Sequence, residues 1–320
     1  MKRILVIRGG AIGDFILTLP ALKVLRDAYP REHIEILGYK HIAVLAENRF
    51  YAQAVRSIEY GPLSSFFAKN SELPPELADY FASFDLIISY LYDPDEIFEK
   101  NLRQCGVKRL IRGPATIDER EHASRQLARP LEELGVPIDD FAARIFPLET
   151  DRIALEKLLA RSSKPVVVLH PGSGSEKKNW PLENWIDIGN YLLSSDNFRG
   201  SLVIVSGEAD EDRAKELRAT LKNERVQFAR NIPLPVLAAL FEDAIFLGHD
   251  SGISQLAAAA DANCILLFGP TNPKIWAPRN QKVQVIQAPT GDMPSLGFEA
   301  VRDVLINRLE ALSSGKQVRS

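Results

Sequence analysis

The sequence predicts an α/β fold in two halves, each built on a parallel β-sheet. Three observations carry this. Short apolar runs lead straight into glycine-rich turns. Helix-spaced apolar residues follow those turns. The whole pattern then restarts at Lys164, past the middle of the chain.

The first thirty residues form one strand–turn–helix unit. Ile4-Leu5-Val6-Ile7 is a continuous apolar run, as expected of a strand buried on both faces. Arg8-Gly9-Gly10-Ala11-Ile12-Gly13-Asp14 makes the turn. Phe15, Ile16, Leu19, Leu22 and Leu25 repeat at helical spacing and stop before Tyr29-Pro30. Ile34 to Gly38 starts the next strand. Phe84 to Ser89 and Lys108 to Ile111 read as further strands, and His122 to Leu134 as a helix ending at Gly135. Residues 137 to 150 contain two prolines and no strong period.

The second half repeats the alternation. Pro165 to His170 is a strand, Trp185 to Leu193 a helix, and Leu202 to Val205 a strand. Pro235 to Phe241 is a short helix and Ala244 to Leu247 a strand. Ile253 to Ala260 is a helix, Ile265 to Phe268 a strand, and Phe298 to Leu312 a closing helix. The halves meet within residues 145 to 165, which gives domains 1–155 and 156–320. In open parallel sheets ligands sit at the carboxyl ends of strands. The glycine and polar residues cluster at those ends, and two such sheets facing each other would form a cleft.

Composition excludes several classes. The chain has 320 residues, of which 46% are hydrophobic and 25% charged, so wholesale disorder is excluded. At about 150 residues per domain, two domains are expected. A net charge of −3 provides no basic field for nucleic acid. Two distant cysteines, Cys105 and Cys264, make no disulfide framework and have no metal-ligand spacing. They fit a reducing, cytoplasmic compartment. MKRILVIRGG reads as a strand and not as a signal peptide. No apolar run reaches the roughly 18 residues of a membrane span. Contact with a membrane surface as a peripheral protein stays compatible with this.

Five features carry chemistry. In Gly9-Gly10-Ala11-Ile12-Gly13-Asp14 the glycines do not follow G-x-G-x-x-G. Asp14 would also repel a pyrophosphate, so a nicotinamide dinucleotide is disfavoured. Asp14 is either an N-cap or a general base at the mouth of a cleft, where the helix dipole favours an anion. His170-Pro171-Gly172-Ser173-Gly174-Ser175 lets backbone amides approach an anion, with Lys177 and Lys178 to meet its charge. The bland alternative is a solvated lysine pair.

Asp250-Ser251-Gly252-Ile253 opens a helix, and the amides of Ser251, Gly252 and Ile253 offer an anion site. Plain capping explains it equally, and His249 reads equally as a hydrogen-bonded buried histidine. Gly269-Pro270-Thr271-Asn272-Pro273 would wall the same pocket. Glu208, after the strand ending at Ser206-Gly207, is placed to accept bonds from ribose hydroxyls or is simply a surface glutamate. Last, Lys100 to Arg129 carries eight Lys/Arg against three Asp/Glu. That makes it a solvated face, or a patch for an anionic substrate or lipid headgroups. P-loop, nucleophile-elbow and zinc-protease motifs are absent, and Asp93-Pro94-Asp95 is a D-x-D interrupted by proline, which suits a shared metal site poorly.

In order along nearly the whole chain, these motifs resemble the heptosyltransferases of glycosyltransferase family 9, which build bacterial lipopolysaccharide core. The resemblance rests on Arg8 to Asp14 with Thr18 to Leu22, and on His170-Pro171-Gly172 with Lys178 to Pro181. It rests also on Ser206-Gly207-Glu208 with Glu211 to Ala214, on Asp250 to Ser254, and on Gly269 to Pro273. It implies the GT-B fold, two Rossmann-like domains facing across a cleft, the first binding acceptor and the second donor. The final helix would cross back onto the first domain.

It also implies inverting transfer from a nucleotide sugar, usually ADP-heptose, as co-substrate, with no metal and no other cofactor. By the same resemblance Asp14 is the catalytic base and Lys178 binds donor phosphate. Glu208 contacts ribose, Asn231 and Ile232 form the nucleobase pocket, and Asp250, Ser251, Gly252 and Ile253 hold diphosphate and sugar. Ser173 and Gly174 belong to the donor loop. Gly13, Arg112, Arg120 and Arg125 would face an anionic, lipid-linked saccharide acceptor at the inner face of the inner membrane. Asp250 is expected to bind sugar hydroxyls or orient the loop, because a carboxylate repels diphosphate. Two positions depart from the family: Gln255 stands where histidine is common, and Ser251 where threonine is. An NAD-dependent oxidoreductase and a non-catalytic GT-B-like sugar-binding protein remain as alternatives, and the oligomeric state is open.

Overall fold

Ile4, Leu5, Val6 and Ile7 are all buried, and their strand, β1 (Arg3–Arg8), has a neighbour on each side. The computed structural model describes residues 2–159, 163–196 and 198–313. The chain forms two compact units, Met1–Phe141 and Ala142–Ser320. After β1 the first unit continues with α1 (Ile12–Ala28), β2 (His33–Gly38), α2 (Lys40–Ala43), β3 (Ala54–Ser57) and α3 (Pro75–Ala82). It ends with β4 (Leu86–Ser89), α4 (Ile97–Gln104), β5 (Leu110–Arg112) and α5 (Ala123–Ala128).

All pairings in this sheet are parallel, in the order β3-β2-β1-β4-β5. Val6 lies in register between Ile36 and Ile88. On one face Leu5, Ile7 and Ile87 pack against Phe66, Phe81, Phe98 and Leu102. On the other, the apolar stripe of α1 is buried beside α5. The strand order reverses at β1, so the turn after Arg8 occupies the switch point where such sheets bind ligands.

The second unit runs α6 (Glu149–Leu158), β6 (Val166–His170), α7 (Leu182–Ser194), β7 (Ser201–Ser206), α8 (Glu211–Thr220) and β8 (Val226–Arg230). It continues through α9 (Leu234–Phe241), β9 (Ile245–His249), α10 (Gly252–Ala259), β10 (Asn263–Phe268), α11 (Pro273–Trp276), β11 (Val283–Gln287) and α12 (Phe298–Ser313). Its sheet is also parallel, in the order β11-β10-β9-β6-β7-β8. Here the reversal falls between β6 and β9, so the segments after His170 and His249 share the switch point. Val167, Leu169, Leu247 and Ile265 join Trp180, Trp185 and Ile188 in one core.

Several details differ from the sequence reading. The helix expected from His122 to Leu134 is α-helical only to Ala128 and then tightens to a 3-10 turn, Arg129–Leu134. Pro130 has no N–H to continue the ladder. Gly135 ends it with φ 73°. Residues 142–155, grouped by sequence with the first half, belong to the second unit. The Ile145 amide donates to Ala259 O at 2.8 Å, and Asn280 Nδ2 to Ala143 O at 2.8 Å. The closing helix α12 packs against α7 and β10, burying Val301 and Leu305.

Candidate functional site

The turn after β1 is built around one carboxylate. Ala11 is the N-cap of α1, so Asp14 is the third helical residue and not the cap. Its Oδ2 accepts from the Ala11 amide at 2.8 Å, half of a capping box. Gly10 makes room for this, with φ +94°; a Cβ there would sit 2.7 Å from Asp14 Oδ2. Arg8, only 7% exposed, donates two bonds to the Asp14 carbonyl at 3.1 and 3.3 Å, and its NH2 lies 3.6 Å from Asp14 Oδ1. Burial pulls the Arg8 guanidinium below its ordinary value, while the charge of Asp14 opposes this. The Asp14 side chain remains 42% exposed. The result is an accessible carboxylate held rigidly at a switch point, with Gly13 beside it in the first helical turn.

In the second unit, Lys178 Nζ donates to Asp250 Oδ2 at 2.8 Å. The two strand ends that the order reversal brings together therefore place their charged residues in contact. Ser251 caps α10, its Oγ accepting from the Ser254 amide at 3.2 Å, which leaves Gly252 and Ile253 in the first turn. The Ser254 hydroxyl donates to His249 O. On the loop after β6, Ser173 Oγ lies 2.8 Å from Asn179 Oδ1 and 2.9 Å from Ser175 O, and Gly174 has open space around it. Glu208 is exposed just past β7. Asn231, with φ 50°, follows β8, and its amide donates to Ser206 O at 3.0 Å, which ties those two strand ends together. Ile232 is half-buried.

His249 is fully buried and neutral. Its Nε2 accepts from the Trp180 amide at 2.8 Å, and its Nδ1 faces Gly172 O at 3.4 Å. Burial pulls its pKa down to about 3. Gln255, also buried, donates from Nε2 to Trp276 O at 2.6 Å, which anchors α11 to α10.

The expected acceptor arginines are already paired. Arg112 bonds Glu96 and the Asp93 carbonyl, both at 3.0 Å, and lies 3.4 Å from Glu99. Arg120 pairs with Asp118, and Arg125 with Glu121 at 3.3 Å. The basic excess counted in sequence is thus offset by Glu96 and Glu99, just outside the counted stretch. Arg112 and Arg120 do line a cavity of about 700 Å³ with Thr116 and Gln126; Arg125 does not.

Three residues absent from the expected site matter locally: Arg8, Asp210 and Arg213. Arg8 has a signal, being a charged residue closing an otherwise apolar strand. Arg213 lies in the Glu211 to Ala214 motif, but nothing in the sequence points to its contacts, and Asp210 has no signal, because only the fold brings the start of α8 to the loop after β6. Among the described residues, no group of three or more His, Cys, Asp or Glu is placed to hold a metal ion.

Residues 122–303 match the model of glycosyltransferase family 9 (heptosyltransferase). The chain belongs to glycosyltransferase family 9. This family 9 chain is 24% identical over 315 residues to lipopolysaccharide heptosyltransferase 3 of Escherichia coli, covering 88% of each. It is 28% identical over 140 residues to lipopolysaccharide heptosyltransferase 2 of Salmonella typhimurium, a match spanning 41% of this chain and only 38% of that protein. Its fold is that of the E. coli ADP-heptose lps heptosyltransferase II structure. The TM-score is 0.77 at 16% identity, covering 98% of this chain and 100% of that one. The GT-B-like architecture of family 9, two parallel α/β sheets of five and six strands, is therefore present.

Proposed function

We propose that this family 9 chain is an inverting glycosyltransferase that moves heptose from ADP-heptose to a saccharide acceptor of lipopolysaccharide-core type. The observation that carries it is the Lys178–Asp250 pair beside the N-terminus of α10, inside the family-matched residues. A lysine next to free helix amides suits a leaving diphosphate, and offsets its charge without a metal. Asp250, already neutralised by Lys178, is free to accept from sugar hydroxyls. Glu208 and the Asn231–Ile232 segment end adjacent strands and would take ribose and base. Names of the relatives supply the donor and acceptor classes.

Inversion needs an acceptor hydroxyl made nucleophilic opposite the leaving group. Asp14 supplies a base: it accepts the hydroxyl proton on its exposed carboxylate as the oxygen forms the new glycosidic bond and the bond to ADP breaks. The Gly13 turn and the cavity along β5, with Arg112 and Arg120, would receive the acceptor, whose negative groups would exchange with Asp118 and Glu96. A lipid-linked acceptor would bring the protein to the inner face of the inner membrane. Among the described residues no helix is long and apolar enough to cross a membrane. An NAD-dependent oxidoreductase is the weaker alternative, because the Asp14 carboxylate occupies the turn that would bind pyrophosphate.

Thermal unfolding with ADP, UDP, GDP, NAD and ADP-heptose tests this. A ligand at about 100 times its Kd adds roughly 2.7 kcal/mol. Selective stabilisation by ADP and ADP-heptose is expected. A shift with UDP or GDP alone would change the donor, and a response to NAD alone would overturn the assignment.

A further inference from the structure

Both ends of the loop after β6 are gripped twice, by residues from two other elements. Arg213, on α8, donates from Nε to Pro171 O at 2.9 Å and from NH2 to Trp180 O at 2.5 Å. Its NH1 reaches Glu176, inside the loop, at 3.9 Å. His249, at the end of β9, faces Gly172 O and accepts from the Trp180 amide. Trp180 is further pinned by its indole N–H, which donates to Leu296 O at 2.7 Å. The residues between the clamped ends include Ser173, Gly174 and Lys178, and the Lys178 ammonium touches Asp250, the residue next to His249.

We propose that Arg213 and His249 are positioning residues that close the base of the 171–180 loop and so fix where Lys178 presents its charge. This rests on the donor-loop assignment above and adds to it two residues that meet no substrate. The chemistry of each fits the task. A guanidinium is a fork of fixed geometry that can donate to two carbonyls at once. A neutral imidazole offers one donor and one acceptor on opposite edges, matching one carbonyl and one amide. Lysine at position 213 keeps the charge but lacks the rigid fork, so it would not hold both carbonyls in this fixed geometry. Loop position matters because a misplacement of about 1 Å can cost on the order of 100-fold in rate.

Two measurements test this. Amide hydrogen exchange on the free protein should show faster exchange across residues 172–179 in Arg213→Lys, with the strands of the second unit unchanged. Unchanged exchange in that segment would overturn the clamp, whatever the loop binds. Glutamine at position 249 can still donate and accept, so His249→Gln should keep the loop protected where His249→Leu does not.

The second measurement is a double-mutant cycle with Lys178→Met, read as ADP affinity by calorimetry. Arg213→Lys should weaken ADP binding about 10-fold in the wild-type background and hardly at all once Lys178 is gone, since coupled sites are non-additive. Equal weakening in both backgrounds would overturn action through Lys178. If Lys178→Met itself leaves ADP affinity unchanged, the donor assignment of the loop fails, while the exchange result still decides the clamp.

Discussion

Lys178 and Asp250 form a 2.8 Å ion pair between residues 72 positions apart, one on the loop after β6 and one just before α10. The pair explains how a carboxylate can sit beside a proposed diphosphate site: its charge is spent on the lysine. Asp250→Asn should free the Lys178 cation and tighten ADP binding by about 1 kcal/mol, roughly fivefold, while sugar transfer falls. Lys178→Met should lower transfer on the order of 100-fold or more. Calorimetric titration with ADP checks the first; weaker binding to Asp250→Asn would show that the pair is purely structural.

Asp14 offers a clean separation of fold from chemistry. Asparagine keeps a side-chain oxygen for the Ala11 amide, so Asp14→Asn should start α1 normally and lose less than about 1 kcal/mol. It cannot accept the acceptor proton, and transfer should fall by about 10²- to 10⁴-fold. Unfolding curves and initial rates on the same preparation decide this. Rates close to wild type would remove Asp14 from the proposed mechanism.

How much of this is legible in sequence depends on burial. The central strands β1, β6, β9 and β10 are read because they are apolar on both faces and run into glycine turns. The edge strands β3, β8 and β11 are missed. They are half-exposed, and the polar residues in Ala54–Ser57, Val226–Arg230 and Val283–Gln287 break any continuous run. Motif residues at strand ends are equally legible, because small residues and caps there have few local uses. The contacts of Arg213 and Asp210 are not, since they come from the start of α8 lying against a loop some 40 residues earlier. The pairing of Arg112 is hidden for a related reason. Charge counted along the chain omits Glu96 and Glu99, which the fold returns to Arg112.

Stability should fall with acid through His249. The unfolded imidazole takes its proton near pH 6.5, whereas the folded one resists until about pH 3. Between those values the unfolded chain binds the extra proton, so stability is complete above pH 6.5 and declines as pH falls. The slope is about 1.4 kcal/mol per unit, or roughly 2 kcal/mol by pH 5. His170 acts in the same direction, its pKa lowered by burial against the opposing charge of Asp210. The charge of Arg213, and that of His170 whenever it takes a proton, reinforces the neutrality of His249. Urea unfolding at pH 5 and pH 7 measures the loss, and His249→Gln should flatten it in part. An unchanged slope in that variant would assign the acid sensitivity elsewhere.

Gly172 and Gly174 stand two residues apart in the same loop and should respond oppositely to alanine. A Cβ at Gly172 would lie 2.1 Å from Asp210 Cβ and 2.6 Å from its Oδ2. Asp210 has little freedom to yield: it is 5% exposed, accepts from the Gly207 amide at 2.6 Å and lies 3.4 Å from His170 Nε2. Gly172→Ala should therefore cost about 1–3 kcal/mol and displace the loop base, weakening ADP binding as well. At Gly174 nothing lies within 4 Å of the added carbon, so Gly174→Ala should stay within about 0.5 kcal/mol. Matched denaturation curves for the two variants test the packing of the loop base directly. Equal stability would mean that Asp210 can move aside, and with it the Gly207 amide that precedes Glu208.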